Sequence, residues 1–288
     1  MESAKIHSKS ISPTICLGGK LMTFEQPRIM AIVNLNADSF YKDSQMKSLD
    51  EALRKAEQHF NEGADIIDLG VTSSRPGAHL SSPEHEWSQL LPALETLRKA
   101  YPEKYISVDT YHASVAQKAF HAGADLINDI SGGGIDPEML PWVITEKVPF
   151  VIMHMRGRPE NMQVQTKYKH LLADIRQEIA VKVNFLREAG HVNLMIDPGF
   201  GFSKTLEQNY QLLNQLSSLH VFNCPVLAGV SRKSMVYRVL ENSPEDALNG
   251  TTALQMLLLQ QGVQMLRVHD VKPAIEAIRI HNFACKAL

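Results

Sequence analysis

The fold class this sequence predicts is α/β, a single (β/α)8 TIM barrel with an N-terminal β-hairpin, and three observations predict it. Eight short apolar runs rich in Ile, Val and Met each stop at a polar or charged position: Asn34, Asp68, Asp109, Asn128, His154, Asp197, the Ser231-Arg232-Lys233 cluster and the Arg267/His269 pair. Successive stops lie 19 to 43 residues apart, room for one strand and one helix each time. Near-continuous apolar strands alternating with helical stretches indicate a parallel sheet covered by helices, and eight such units match a closed barrel. The loops give the third observation. Those before the strands are short, whereas those after the first, second and fifth strands are long and rich in Ser, Asn, Gly, Pro and Arg. That is the side on which barrel chemistry sits.

The elements follow in order along the 288 residues. Residues 1–13 are polar and are expected to form a flexible N-terminus, with one barrel domain over 14–288. Apolar runs on either side of Gly18-Gly19 predict a small hairpin over residues 15–24, placed to close the barrel's lower end. The first strand is expected over 29–33 with a helix over 49–62, and the second over 64–69 with a helix over 83–100. The third, 105–109, leads to a helix over 112–122, and the fourth, 125–130, to one over 136–146. The fifth, 149–154, leads to a long helix over 167–189, and the sixth, 192–196, to a helix over 204–218. The seventh, 225–230, precedes helical sequence through 261 broken near Pro244, and the eighth, 263–268, precedes a closing helix from about 271. Gly63, Gly123 and Gly190 each stand between a helical run and the next strand, so they read as helix C-caps.

Composition narrows the function. With 44% apolar residues there is material for a large core, and 29 basic against 31 acidic residues leave a formal charge of −2. That balance gives no general attraction to nucleic acid or to an anionic membrane, so neither is expected as a partner. Cys16, Cys224 and Cys285 are scattered and suggest neither a disulfide framework nor a zinc cluster. A polar N-terminus and the lack of any run of membrane-spanning length point to a cytoplasmic protein. His59, His85, His112, His121, His170, His191, His220 and His281 fall in helices or loops and are expected at the surface. His154 ends the fifth strand between Met153 and Met155, and both a pocket-wall and a catalytic role stay open for it.

The strand ends sort into two chemistries. Asp109, Asn128 and Asp197 hold equivalent positions on the third, fourth and sixth strands, so three short polar side chains point into one half of the cavity. Burying carboxylates there is costly unless a ligand brings donors, and a guanidine-like or aminopyrimidine edge carries such a row. The opposite half is basic. Ser231-Arg232-Lys233-Ser234 opens the helix after the seventh strand, where free N–H groups favour an anion. Arg267 and His269 end the eighth strand on the same side, at the usual phosphate position of such barrels. Ser73-Ser74-Arg75-Pro76-Gly77, after the second strand, adds hydroxyls and a further guanidinium.

Taken together, Asp65-Ile66-Ile67-Asp68-Leu69-Gly70 running into Ser74-Arg75-Pro76-Gly77, Ser107-Val108-Asp109-Thr110, Ile127-Asn128-Asp129, Met153-His154-Met155-Arg156-Gly157, Asp197-Pro198-Gly199, Ser231-Arg232-Lys233-Ser234 and Arg267-Val268-His269-Asp270 resemble dihydropteroate synthase, over roughly residues 15–280. The resemblance implies condensation of 6-hydroxymethyl-7,8-dihydropterin diphosphate with 4-aminobenzoate to 7,8-dihydropteroate and diphosphate. It implies that Asp109, Asn128 and Asp197 bind the pterin's amino-pyrimidine edge and Lys233 its carbonyl and ring nitrogen. Ser74, Arg75, Arg267 and His269 would hold the diphosphate with Asn34, which would also hold Mg2+. Ser234 would meet the aminobenzoate carboxylate, with Phe40 and Pro76 packing on its ring. Catalysis would rest on Asp38, Lys233 and Arg267 and proceed dissociatively, with Mg2+ assisting departure of diphosphate. A homodimer and competition by sulfonamides are further implications; the apolar Leu254–Leu259 region could contribute to a dimer, and ordinary barrel packing explains it equally well.

Two loops depart from the family's pattern. After the first strand Asn36-Ala37 stand where the family usually has Thr-Pro, and the following Gly-rich stretch is missing. After the second, Val71-Thr72-Ser73-Ser74 replace a Gly-Glu-Ser-Thr run, so a carboxylate is absent. A methyltetrahydrofolate methyltransferase-like barrel and a diverged, non-catalytic pterin-binding paralogue are the alternatives; Arg75, Arg267 and His269 together argue for the diphosphate reaction.

Overall fold

A computed structural model describes residues 13–35, 49–71 and 81–287. Asp38, Phe40, Ser74, Arg75 and Pro76 lie outside the described residues. The hairpin is β1 (Thr14–Leu17) and β2 (Lys20–Thr23), turning at Gly18-Gly19, both of which take positive φ. The barrel strands are β3 (Arg28–Asn34), β4 (Ile66–Gly70), β5 (Tyr105–Asp109), β6 (Leu126–Asp129), β7 (Phe150–Met153), β8 (Leu194–Asp197), β9 (Leu227–Ala228) and β10 (Met265–Val268). They pair in parallel in the order β8-β7-β6-β5-β4-β3-β10-β9, and a parallel bridge between Ile196 and Val226 brings the two edges together, giving a nearly closed barrel. The helices between them are α1 (Leu49–Glu62), α2 (Pro83–Ala100), α3 (Ala113–His121), α4 (Met139–Glu146), α5 (Leu171–Glu188), α6 (Leu206–Asn214), α7 (Ser234–Tyr237), α8 (Leu248–Gln260) and α9 (Val271–Lys286). None is long and apolar enough to cross a membrane.

Strand side chains alternate between two cores, as the pleat requires. Ile29, Ala31, Ile67, Leu69, Ile106, Val108, Ile152 and Ile196 point outward and pack under the helices. Met30, Ile66, Leu126, Val151, Met195, Leu227 and Met265 point inward as one layer, capped from below by Ile15, Leu17, Met22 and Phe24 of the hairpin segment. Those four are at most 6% exposed, and burying side chains of this size contributes about 1.5–3 kcal/mol each. Asn193, in the loop before β8, locks the hairpin in place. Its carboxamide donates to Cys16 O and accepts from Cys16 N, both at 2.7 Å.

Where the fold departs from the sequence expectation, the cause is local. β9 is only two residues long rather than 225–230; on its N-terminal side Pro225 has no N–H and the Val226 N–H goes to the Gln264 side chain at 2.8 Å instead of a neighbouring strand. The helix expected over 204–218 begins at Leu206 behind a Thr205/Gln208 capping box and gives way to a 3-10 turn, Leu216–Phe222. His59 and His191 are not surface residues; they are 1% and 3% exposed. His59 shares the inner face of α1 with Ala52, Ala56 and Phe60, and burial holds its pKa down to about 4. Leu254, Leu258 and Leu259 are spent on the barrel's own core, leaving Leu257 as the exposed leucine of that stretch.

Candidate active site

Two residues beyond the apolar inner layer, on the same inward-facing side of the same strands, the chemistry changes. Ile66 is followed by Asp68, Leu126 by Asn128, Met195 by Asp197 and Met265 by Arg267. The Arg267 guanidinium bridges two of the carboxylates. Its Nε donates to Asp68 Oδ2 and its Nη2 to Asp109 Oδ2, each at 2.6 Å. Asn128 Nδ2 donates to the same Asp68 oxygen at 3.0 Å, while Asp68 Oδ1 is buried with no partner among the described residues. Asp68 was legible as a strand end but not as a site residue; it pairs with Ser107, two residues before Asp109, so the two carboxylates face the same side of paired strands.

Electrostatics here are a contest between burial and pairing. Burial pushes the Asp109 carboxyl up to about 7 against the pull of Arg267, with Asp68 adding repulsion. Asp197 is likewise raised by burial, opposed by Lys233 and by the Gly199 N–H. Burial disfavours a charged Arg267, but Asp68 and Asp109 outweigh it and keep the guanidinium firmly protonated. Lys233 is drawn down to about 8 by burial, with Asp197 working against that. Its ammonium donates to Phe200 O at 2.7 Å and stands 4.9 Å over the Phe202 ring.

The loop after β8 shapes one wall. Gly199 has φ of +70°, and a Cβ there would lie 2.0 Å from His154 O, so only glycine fits. Its N–H donates to Asp197 Oδ1 at 2.7 Å. A cavity of about 760 Å³ runs from this loop to the start of α7, lined among others by Met162, Phe202, Lys204, Lys233 and Ser234.

On the other side, His269 Nδ1 lies 3.0 Å from Ser231 Oγ. Burial and the nearby Arg267 and Arg232 push its pKa down to about 3, so the ring is neutral near pH 7. Arg232, which the sequence grouped with the anion-binding cations, turns away. At φ of +54° it forks onto Asp270 with two bonds of 2.9 Å and caps Pro244 O and Glu245 O. It ties the α7–α8 connection to the start of α9. Asn34, at the end of β3, lies beside Gly70 and Asp109: a Cβ on Gly70 would sit 3.5 Å from both Asn34 Oδ1 and Asp109 Cβ.

The structure therefore brings Asp109, Asn128, Asp197, Lys233, Arg267, His269, Asn34 and Ser234 to one end of the barrel. Asp38, Phe40, Ser74, Arg75 and Pro76 belong to the loops outside the described residues. Beyond Asp68, the sequence reading missed Lys204 and Glu178, which pack behind the loop after β8 on either side of His154. No helix or strand periodicity singles them out.

Comparison with known proteins gives a consistent result. The family model described as "Pterin binding enzyme" matches residues 30–269. The chain is 37% identical over 264 residues to the dihydropteroate synthase of Escherichia coli, covering 91% of this chain and 93% of that one. It superposes on the Yersinia pestis dihydropteroate synthase solved in a sulfonamide drug complex with a TM-score of 0.90 at 38% identity, covering 96% of this chain and 100% of that one. The Xanthomonas albilineans dihydropteroate synthase solved with 4-aminobenzoic acid gives a TM-score of 0.86 at 34% identity, covering 96% and 99%.

Proposed function

The chain belongs to the pterin-binding enzymes and, within them, to the dihydropteroate synthases, which are transferases; from this premise we propose that it joins 6-hydroxymethyl-7,8-dihydropterin diphosphate to 4-aminobenzoate, releasing diphosphate. The observation that carries this reading is the pairing, in one barrel mouth, of the acceptors Asp109, Asn128 and Asp197 with the cations Lys233 and Arg267. The acceptors suit the donor-rich edge of an aminopyrimidine, and Lys233 suits its carbonyl and ring nitrogen. Donors brought by a ligand would offset the burial that raises the Asp109 and Asp197 carboxyls.

Arg267 serves both halves of the substrate. Its Nε and Nη2 are held by Asp68 and Asp109, which leaves Nη1 without a partner among the described residues to meet a diphosphate oxygen. Neutral His269 can donate from Nε2 while Ser231 donates to Nδ1, and an arriving diphosphate would favour its protonation. Ser234, the first residue of α7, lines the cavity beside Lys233 and would meet the aminobenzoate carboxylate. Ser74, Arg75, Phe40, Pro76 and Asp38 are proposed to complete the diphosphate and aminobenzoate contacts from their loops.

Among the described residues no group of three or more His, Cys, Asp or Glu is placed to hold a metal ion. Mg2+ held by one side-chain oxygen and substrate phosphates needs no such group. Asn34 fits that role through Oδ1. Bound there, Mg2+ would neutralise charge on the departing diphosphate. The proposed reaction is dissociative. Arg267 stabilises the leaving group as the C–O bond breaks, the electron-rich dihydropterin ring supports the carbocation, and the amine of 4-aminobenzoate attacks it and sheds a proton.

Purified protein incubated with both substrates and Mg2+ is expected to yield dihydropteroate and diphosphate in equal amounts, and sulfonamides are expected to compete with 4-aminobenzoate. Tight pterin binding without product would favour the non-catalytic paralogue instead. We also propose a homodimer, which light scattering on the purified protein checks.

A further inference from the structure

Lys204 is 4% exposed and closes the loop that begins at Asp197. An ammonium has three N–H donors and no acceptor, and three acceptors surround this one: Gly199 O at 2.9 Å, Phe202 O at 3.0 Å and His154 Nδ1 at 3.1 Å. Burial draws the Lys204 pKa down to about 7 against the pull of Asp197; while Lys204 is an ammonium, His154 Nδ1 must be the unprotonated nitrogen. In the neutral ring Nε2 then carries the hydrogen, and it faces Glu178 Oε2 at 3.1 Å. Glu178 is in turn clamped by Arg156, whose guanidinium lies 3.8 Å over the Tyr168 ring and donates to Lys167 O at 2.6 Å. A continuous run of bonds thus leads from α5 through His154 and Lys204 to the Gly199 carbonyl. On the other side of the Gly199 Cα, its N–H donates to Asp197 Oδ1 at 2.7 Å, and the His154 N–H holds Asp197 O at 2.9 Å.

We propose that His154 and Lys204 are a positioning pair for the pterin subsite: His154, fixed as an acceptor at Nδ1, seats Lys204, Lys204 fixes Gly199 through its carbonyl, and the Gly199 N–H aims the Asp197 carboxylate. The proposal rests on Asp197 being a pterin acceptor. In this reading both act through Asp197 rather than on the reacting atoms, and the open question about the end of the fifth strand resolves into a structural relay with a functional output.

Nitrogen-resolved NMR of the histidine rings in the full chain tests the first half without any substrate. His154 is expected as the neutral Nε2–H form at about pH 5.5 to 6.5, where Lys204 is still an ammonium, and an Nδ1–H form or an imidazolium there overturns the pair. Calorimetry with 6-hydroxymethylpterin tests the second half, on Lys204→Met, His154→Leu, His154→Asn and the Lys204→Met/His154→Leu double variant. Each of Lys204→Met and His154→Leu should weaken pterin binding about tenfold or more, while the KM for 4-aminobenzoate stays within about twofold. The double variant should bind no worse than the weaker single one, because both disrupt one linkage. His154→Asn, whose Oδ1 accepts near the place of Nδ1, should recover most of the affinity. If Lys204→Met does not fold, the His154→Leu and His154→Asn comparison decides alone. Wild-type affinity in His154→Leu, or losses that simply add, would overturn the proposal. A wild-type protein that binds no pterin would instead defeat the functional reading, with the tautomer result standing on its own.

Discussion

At the lower end of the barrel the inward layer is Met30, Ile66, Leu126, Val151, Met195, Leu227 and Met265; two residues further along the same strands, at the upper end, stand Asp68, Asn128, Asp197 and Arg267. Both layers face the same interior, so strand alternation cannot explain the change. What differs is the lid. The hairpin supplies Ile15, Leu17, Met22 and Phe24 to seal the lower layer against water, whereas the upper layer leaves buried carboxylates with raised pKa values and an unpartnered oxygen on Asp68. The lower end is built for stability, and the upper end gives up some of it to keep polar groups in the barrel interior.

Arg267 is where the two demands meet, and removing it should have the largest effect. Arg267→Met strands Asp68 and Asp109 without their cation and is expected to cost about 3–5 kcal/mol of stability, read from urea unfolding at neutral pH, along with turnover. Adding Asp68→Asn should return part of the stability but not the activity. A loss under about 1 kcal/mol would mean the carboxylates do not depend on the guanidinium.

Leu17→Ala attacks the sealed end alone. It should cost about 2–5 kcal/mol yet leave kcat/KM within about threefold wherever the protein remains folded. Loss of activity without loss of stability would erase the distinction between the two ends. Asp197→Ala should do the reverse, weakening pterin binding about 100-fold, or about 2.7 kcal/mol, with stability changed by less than about 1 kcal/mol. A calorimetric titration beside a thermal melt separates the two outcomes.

The smallest expected effect is on acid stability. His154 is held down to about 4 by burial and by Lys204, so between about pH 6.5 and pH 4 the unfolded chain binds a proton that the folded chain refuses. Stability should therefore fall as pH drops through that window, and His154→Asn should make the urea midpoint less steep in pH there. An unchanged slope would contradict the buried, neutral ring.

Much of this contrast was legible in the sequence, for definite reasons. Each strand ends where an apolar run meets a polar residue, and Gly63 and the Ser82-Pro83 pair mark the end of α1 and the start of α2 at the expected residues. Asp109, Asn128, Asp197 and Arg267 stood out because one polar residue at the end of a buried strand must face something. The rest depended on three-dimensional neighbours. Asp68 obeys the same rule, but its part in holding Arg267 required two distant strands to be paired. Arg232 reads as a ligand cation until its left-handed backbone turns it onto Asp270. His59 follows the Ala52, Ala56, Phe60 stripe of α1, a helical spacing that marks it as core once the helix is taken as given. Lys204 gains its role only from carbonyls that converge across a loop.

The most direct test of the account is kcat/KM for the pterin diphosphate in wild type, Leu17→Ala and Asp197→Ala, at a temperature where all three are folded. Dihydropteroate formation in wild type, a value within about threefold for Leu17→Ala and a fall of about 100-fold or more for Asp197→Ala are predicted. Near-normal turnover by Asp197→Ala, or no dihydropteroate from wild type, would contradict the assignment of the upper end as a synthase site.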